Sequence, residues 1–164
     1  MRINNQKNYF EKGKNYALYL LNYRDWSKSE MAKKLEKKQY PENIIEEILQ
    51  FLEEKKLIND RKFSKEWVRK SIKKGLAPAR IEYELKNKGV NEEIIKEIVN
   101  QIFSSIDQEK MALELLYRKK YLPFRNGLSK KEKLKQFSKI HRFLSNHGFS
   151  YSIIKKVGWK ENLK

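Results

Sequence analysis

The chain has 164 residues, 39% of them hydrophobic and 36% charged, and 38 Lys and Arg against 21 Asp and Glu give a net charge of +17. So polar a composition excludes a large globular core and suits thin helical modules, each with a narrow apolar stripe. Without cysteine there is no disulfide framework and no thiolate metal site, and the longest apolar run, Ala17 to Leu21, is too short to span a membrane.

Residues 1–14 are polar and rich in Asn and Lys, and they read as a loose N-terminal arm. They contain no apolar core segment of the kind a signal peptide carries, so a cytoplasmic protein is expected. Asn15 to Tyr23 gives a first helix with Ala17, Leu18, Leu20 and Leu21 on its apolar side. Ser27 and Glu30 have capping-box spacing and open a second helix running to about Lys38. Pro41 suits the start of a third, since it lacks an N–H that the first turn would leave unpaired. Ile44, Ile45, Ile48, Leu49 and Leu52 supply its buried face. Asn59-Asp60 makes a turn, with Asp60 as cap of a fourth helix that puts Phe63, Trp67, Val68, Ser71 and Ile72 on one half. A fifth covers Pro78 to Lys88 and stops at Gly89, which is free to take positive φ. Asn91 caps a sixth, reaching about Phe103. A seventh runs from Asp107 to Lys120, and a loop with Pro123 and Gly127 follows. Ser129 opens a longer eighth helix that Gly148 ends, with Leu134, Phe137, Ile140 and Leu144 on its apolar side. Ser150 caps the last helix, which packs Ile153, Ile154 and Val157; the tail from Gly158 is expected to fray.

One template recurs three times. Met31, Ile81 and Ile140 are equivalent, as are Leu35, Leu85 and Leu144, and each Leu precedes an Ile pair (Ile44-Ile45, Ile94-Ile95, Ile153-Ile154) by nine residues. The copies are 50 and 59 residues apart. The expected fold is all-α: an elongated tandem array of three three-helix repeat units at 15–60, 61–106 and 107–158, between the arm and a tail at 159–164. Units this small bury little surface alone and should lean on one another.

Charge is graded along the array. The arm carries +3, the first unit −1, the second +5 and the third +10. A lysine-rich compositional bias would spread the cations evenly, so the gradient favours a footprint for a polyanion, with nucleic acid the first candidate. Arg69, Lys70, Lys73 and Arg80 in the second unit are candidate contacts. So are Lys131, Lys135, Lys139 and Arg142, which share one side of the eighth helix. Any one exposed lysine is also explained by solvation. Trp67 and Phe137 read as core, and Tyr23 and Trp26 sit near a turn.

No catalytic constellation stands out. There is neither a GxxxxGK[ST] nor a GxGxxG phosphate loop, and His141 and His147 lack the spacing and carboxylate partners of a zinc site. Glu46-Glu47 and Glu92-Glu93 lie on solvent faces. Neither an enzyme nor a cofactor is expected.

LNYRDWSKSEM (Leu21 to Met31), DRKFSKEWVRK (Asp60 to Lys70), GLAPARIEYELKNKGV (Gly75 to Val90) and the closing FLSNHGFSYSIIKKV together resemble the RecX family of recombination regulators. Gln39 stands where the family's first unit usually has Gly. The resemblance covers about residues 15–158. It implies a three-helix repeat fold and a role in restraining RecA. A member would bind in the groove of the RecA filament on single-stranded DNA, inhibit ATPase and strand exchange, and promote disassembly. It offers no catalytic residue to transfer. The implied partners are the RecA filament and single-stranded DNA, with duplex DNA a further candidate; a monomer is expected. Two other readings compete: a helix-turn-helix DNA-binding regulator, which should show sequence preference, and a basic interaction scaffold, which should show no DNA affinity at low salt.

Overall fold

The computed structural model describes residues 2–123 and 127–162, with side chains placed from residue 6 to 158 outside that gap. The described residues form nine α-helices: α1 (Arg2–Leu21), α2 (Lys28–Lys37), α3 (Glu42–Glu54), α4 (Asp60–Lys74), α5 (Pro78–Asn87), α6 (Glu92–Phe103), α7 (Gln108–Arg118), α8 (Lys130–Asn146) and α9 (Tyr151–Asn162). The positions equated in the sequence share one fate. Met31, Ile81 and Ile140 are buried, as are Leu35, Leu85 and Leu144, and so is the second Ile of each pair, Ile45, Ile95 and Ile154.

The chain divides into two compact units. One comprises residues 1–66 with 85–95, the other 67–84 with 96–164. In the first, Ala17 of α1, Met31 and Leu35 of α2, and Ile44, Ile45, Ile48, Leu49 and Leu52 of α3 make a single core closed by Ile58. In the second, Ala77 joins Ala112, Leu115 and Leu116 of α7, Ile140 and Leu144 of α8, and Ile154 and Val157 of α9.

Local chemistry fixes the helix ends. Ser27 and Glu30 form the expected capping box on α2, and Ser129 with Glu132 forms a second on α8. There the Ser129 hydroxyl and backbone N–H hold the Glu132 carboxyl below its ordinary range. Asn91 Oδ1 accepts from Glu93 N at 2.7 Å, and Ser150 Oγ from Ile153 N at 3.4 Å. Six helices close on one device, in which a residue at positive φ lets the next N–H bond back to a carbonyl five residues earlier. Tyr40 N reaches Leu35 O, Val90 N reaches Leu85 O and Phe149 N reaches Leu144 O, and the turns after α3, α4 and α7 repeat the pattern. The pivot is glycine at Gly75, Gly89 and Gly148, but Gln39, Lys56 and Lys120 hold the same conformation with a side chain attached.

Gln39, at φ 61°, is exposed. An L-residue there carries a left-handed penalty of about 1 kcal/mol, and the side chain makes no hydrogen bond to a described residue that would offset it. Gln39→Gly should therefore raise unfolding free energy by about 1 kcal/mol, read as a higher urea midpoint at unchanged slope.

Several expectations need correction. The stretch expected as a loose arm is helical from Arg2 and continuous with α1. Within it, Phe10 packs edge-on against Phe51 of α3 with ring centroids 6.1 Å apart, and Lys14 pairs with Glu11 one turn earlier at 2.6 Å. Asn59 rather than Asp60 caps α4, accepting from Lys62 N at 2.9 Å. The Asp60 carboxylate instead accepts from Lys28 N at 2.9 Å, where burial pushes it above its ordinary range. Pro41 is the residue before α3 rather than its first. The segment beyond Gly158 continues α9 to Asn162; the expected tail's last two residues, and 124–126 of the expected loop, lie outside the described residues. Leu134 is 60% exposed: it shares the side of α8 that Ile140 buries, but stands a turn and a half nearer the helix start.

Candidate nucleic-acid interface

All eight candidate cations fall in the second compact unit, which holds 21 Lys and Arg against 8 Asp and Glu, for +13. The first holds 17 against 13, for +4. Within the second unit the cations sit on three helices. Lys131, Lys135, Lys139 and Arg142 are all exposed on α8. At 100° per residue they fall within about 80° of one another, and at 1.5 Å rise they span about 16 Å. None makes an ion pair with a described carboxylate. A stripe of this kind can neutralise several phosphates and carries no code for bases.

Arg69, Lys70 and Lys73 lie exposed on α4, whose last turn is held by α7. The Arg118 guanidinium donates to Lys73 O at 3.3 Å and Lys74 O at 3.4 Å, satisfying end-of-helix carbonyls with a cation. Gly75 allows this approach, since a Cβ there would lie 2.7 Å from Leu115 Cδ1. Sequence reasoning passed over Arg118, because nothing local ties it to a residue 45 positions away.

Arg80, on the first turn of α5, is paired. Its Nε donates to Glu84 Oε1 at 3.2 Å, and the other Glu84 oxygen accepts from Trp67 Nε1 at 3.2 Å. Trp67, expected as core, is half-buried and thus props the carboxylate that orients Arg80. Phe137 is likewise half-buried.

The turn after α8 brings α5 to α8. Ala77 N donates to His147 O at 2.8 Å, and Gly148 at φ 86° lies against the Arg80 backbone. This places Arg80 beside the C-terminal end of the α8 stripe. An open groove of about 340 Å³ results, lined by Ala79, Arg80, Tyr83, Ser145, Asn146 and Gly148. A second recess of about 520 Å³ shares Ala79, Ser145 and Gly148 with it. Tyr83 was not singled out in the sequence; it is 56% exposed, with the Arg80 guanidinium 5.6 Å from its ring centroid.

The first unit repeats the junction with different chemistry. Buried Ser27 donates to Lys88 O at 2.6 Å, and Gly89 lies against Ser29. Glu30 accepts from Arg24 at 3.1 Å and from Lys88 at 2.9 Å. Burial alone would raise the Glu30 carboxyl, but the hydrogen bonds and charges of Arg24 and Lys88 outweigh it and hold it below its ordinary range. Trp26 is fastened by Nε1 donating to Leu20 O at 3.0 Å, with Arg24 3.4 Å from its ring centroid. Tyr23 is exposed, its hydroxyl bonded to that of Tyr19 at 2.8 Å.

Among the described residues no three His, Cys, Asp or Glu side chains gather as a metal site would require. Among them, too, no helix is long and apolar enough to cross a membrane.

Comparison with known proteins matches residues 14–52 to the first three-helix domain of RecX and residues 59–98 to the second. The regulatory protein RecX of Clostridioides difficile (strain 630) is 33% identical over 147 residues, which cover 89% of this chain and 66% of that protein. Regulatory protein RecX of Haemophilus influenzae (strain PittEE) is 35% identical over 136 residues, covering 82% of this chain and 85% of the relative. The crystal structure of RecX from Lactobacillus salivarius superposes with a TM-score of 0.74 at 26% identity, over 96% of this chain and 99% of that one.

Proposed function

This chain belongs to the RecX family of regulatory proteins, and from that membership we propose that it restrains the RecA recombinase. In this reading it binds the RecA filament on single-stranded DNA in the cytoplasm, inhibits ATPase and strand exchange, and promotes disassembly. The observation that carries the reading is the concentration of +13 on the second unit, with four cations along one side of α8 that no described carboxylate pairs. Lysine and arginine contacts to phosphates release condensed counterions, so attraction to a nucleoprotein filament needs no base sequence. The first unit, at +4, leaves more neutral surface for contact with protein. The relatives carry the names of regulators, and the reading assigns no chemistry to this chain beyond binding.

The test is to follow ATP hydrolysis by the cognate recombinase on single-stranded DNA while this protein is added. Hydrolysis should fall as the protein is titrated, and the inhibition should weaken as salt rises. A rate indifferent to the protein at low salt would overturn the reading.

A further inference from the structure

We propose that the groove between the start of α5 and the end of α8 is a subsite for one unpaired nucleotide, its base stacked on Tyr83. The inference rests on the nucleic-acid reading above and adds a site to it. A cationic stripe alone binds backbone and ignores bases. The groove supplies what the stripe lacks. Tyr83 exposes more than half its surface beside a cation, and a tyrosine ring in a positive channel is a platform on which any base can stack. At the opposite lip Asn146 and Ser145 are exposed, and neither side chain bonds to a described residue. Their donors and acceptors are available to a base edge or a sugar.

Arg80 completes the set. Glu84 engages it through Nε, which leaves both terminal amino groups for a phosphate oxygen while fixing the side chain's direction. Gly148 also lines the groove, presenting no side chain to it. Arg142 lies one turn before Asn146 on α8, so a strand laid along the stripe arrives at the groove. Duplex bases are stacked already and cannot enter, so the subsite distinguishes a single strand from a double one. The surrounding +13 favours an anionic occupant over an apolar peptide, and the exposed Tyr83 ring favours a nucleotide over an acidic peptide, which has no base to stack.

The experiment measures binding of the full chain to two labelled oligomers of equal length and charge, oligothymidylate and its abasic counterpart, by fluorescence anisotropy at fixed salt. Wild type should prefer the base-bearing strand by about tenfold. Tyr83→Ala should erase that preference, leaving the abasic affinity and its salt dependence unchanged, and Tyr83→Phe should restore it. Tyr83 is exposed, so neither variant threatens the fold. Salt-dependent binding that ignores the bases would overturn the subsite while leaving the nucleic-acid reading intact, and would turn the groove toward a protein ligand. A preference that survives Tyr83→Ala would also overturn it. Failure to bind either strand at low salt would overturn both readings together.

Discussion

Gly148→Ala should destabilise the second unit by about 3 kcal/mol or more. Two costs add. At φ 86° an L-residue carries a backbone penalty of about 1–2 kcal/mol. The new methyl would also lie 2.6 Å from Arg80 Cβ, 3.0 Å from Ala77 O and against Arg80 N. Most of these atoms are backbone, so no rotamer change relieves the overlap; α5 must move away from α8. That motion lengthens the 2.8 Å bond from Ala77 N to His147 O and widens the groove at Tyr83. Gly127→Ala is the control. Its φ is 80°, yet no described residue lies within 4 Å of a Cβ there, so the backbone penalty dominates. Amide hydrogen exchange, read on α5 and α8, should show opening free energies lowered more by Gly148→Ala than by Gly127→Ala. Equal effects would mean the close approach carries no energy of its own.

The same junction explains which glycines the sequence keeps. By the repeat alignment Gln39, Gly89 and Gly148 are one position, and all three take positive φ. A helix start docks on Gly89, where Ser27 bonds to Lys88 O, and another docks on Gly148, where Ala77 bonds to His147 O. Ser27 and Ala77 are themselves equivalent, each four residues before the repeated Met31 or Ile81. Gln39 has no such neighbour and is exposed, so a side chain costs it only backbone strain. An exposed position with no close neighbour therefore tolerates Gln39 where the other two turns hold glycine.

This sets what was legible in the chain alone. The Leu and Ile spacing revealed the buried faces, because helical period and burial are the same fact at positions such as Leu35 and Leu85. Ser27, Asn91 and Ser150 were readable as caps, because a cap bonds within three residues. The first half of α1 was not, since its anchor, Phe10 on Phe51, joins residues far apart in the chain. Leu134 was misplaced because a helical wheel says which side a residue faces and not where the packing partner stops. The cations were visible as charge, while the groove was not. It depends on Gly148 meeting Arg80, two helices distant in pattern and unrelated in local sequence, and Tyr83 has no significance until that approach sets Asn146 opposite it.

Reversing the α8 stripe with Lys131→Glu, Lys135→Glu, Lys139→Glu and Arg142→Glu should reduce affinity for a single strand at least 100-fold near 0.1 M salt, about 3 kcal/mol. The slope of log affinity on log salt should fall by about 3, at roughly 0.7 for each single-strand phosphate no longer neutralised. Stability should change little. All four side chains are exposed, and glutamate has nearly the helix propensity of lysine. Lys131→Glu, in the first turn, would even complement the helix dipole, while Arg142→Glu, near the last, would oppose it by a few tenths of a kcal/mol. The decisive comparison is an equal reversal in the first unit, at exposed Lys33, Lys37, Lys55 and Lys62. Both variants change net charge by the same amount, so any difference between them belongs to position. If the stripe acts as a footprint, the α8 variant loses strand binding and inhibition of the recombinase together, and the first-unit variant keeps most of both. Should the two lose affinity in step, the protein would be acting as a diffuse cation, and α8 would hold no privileged place in binding.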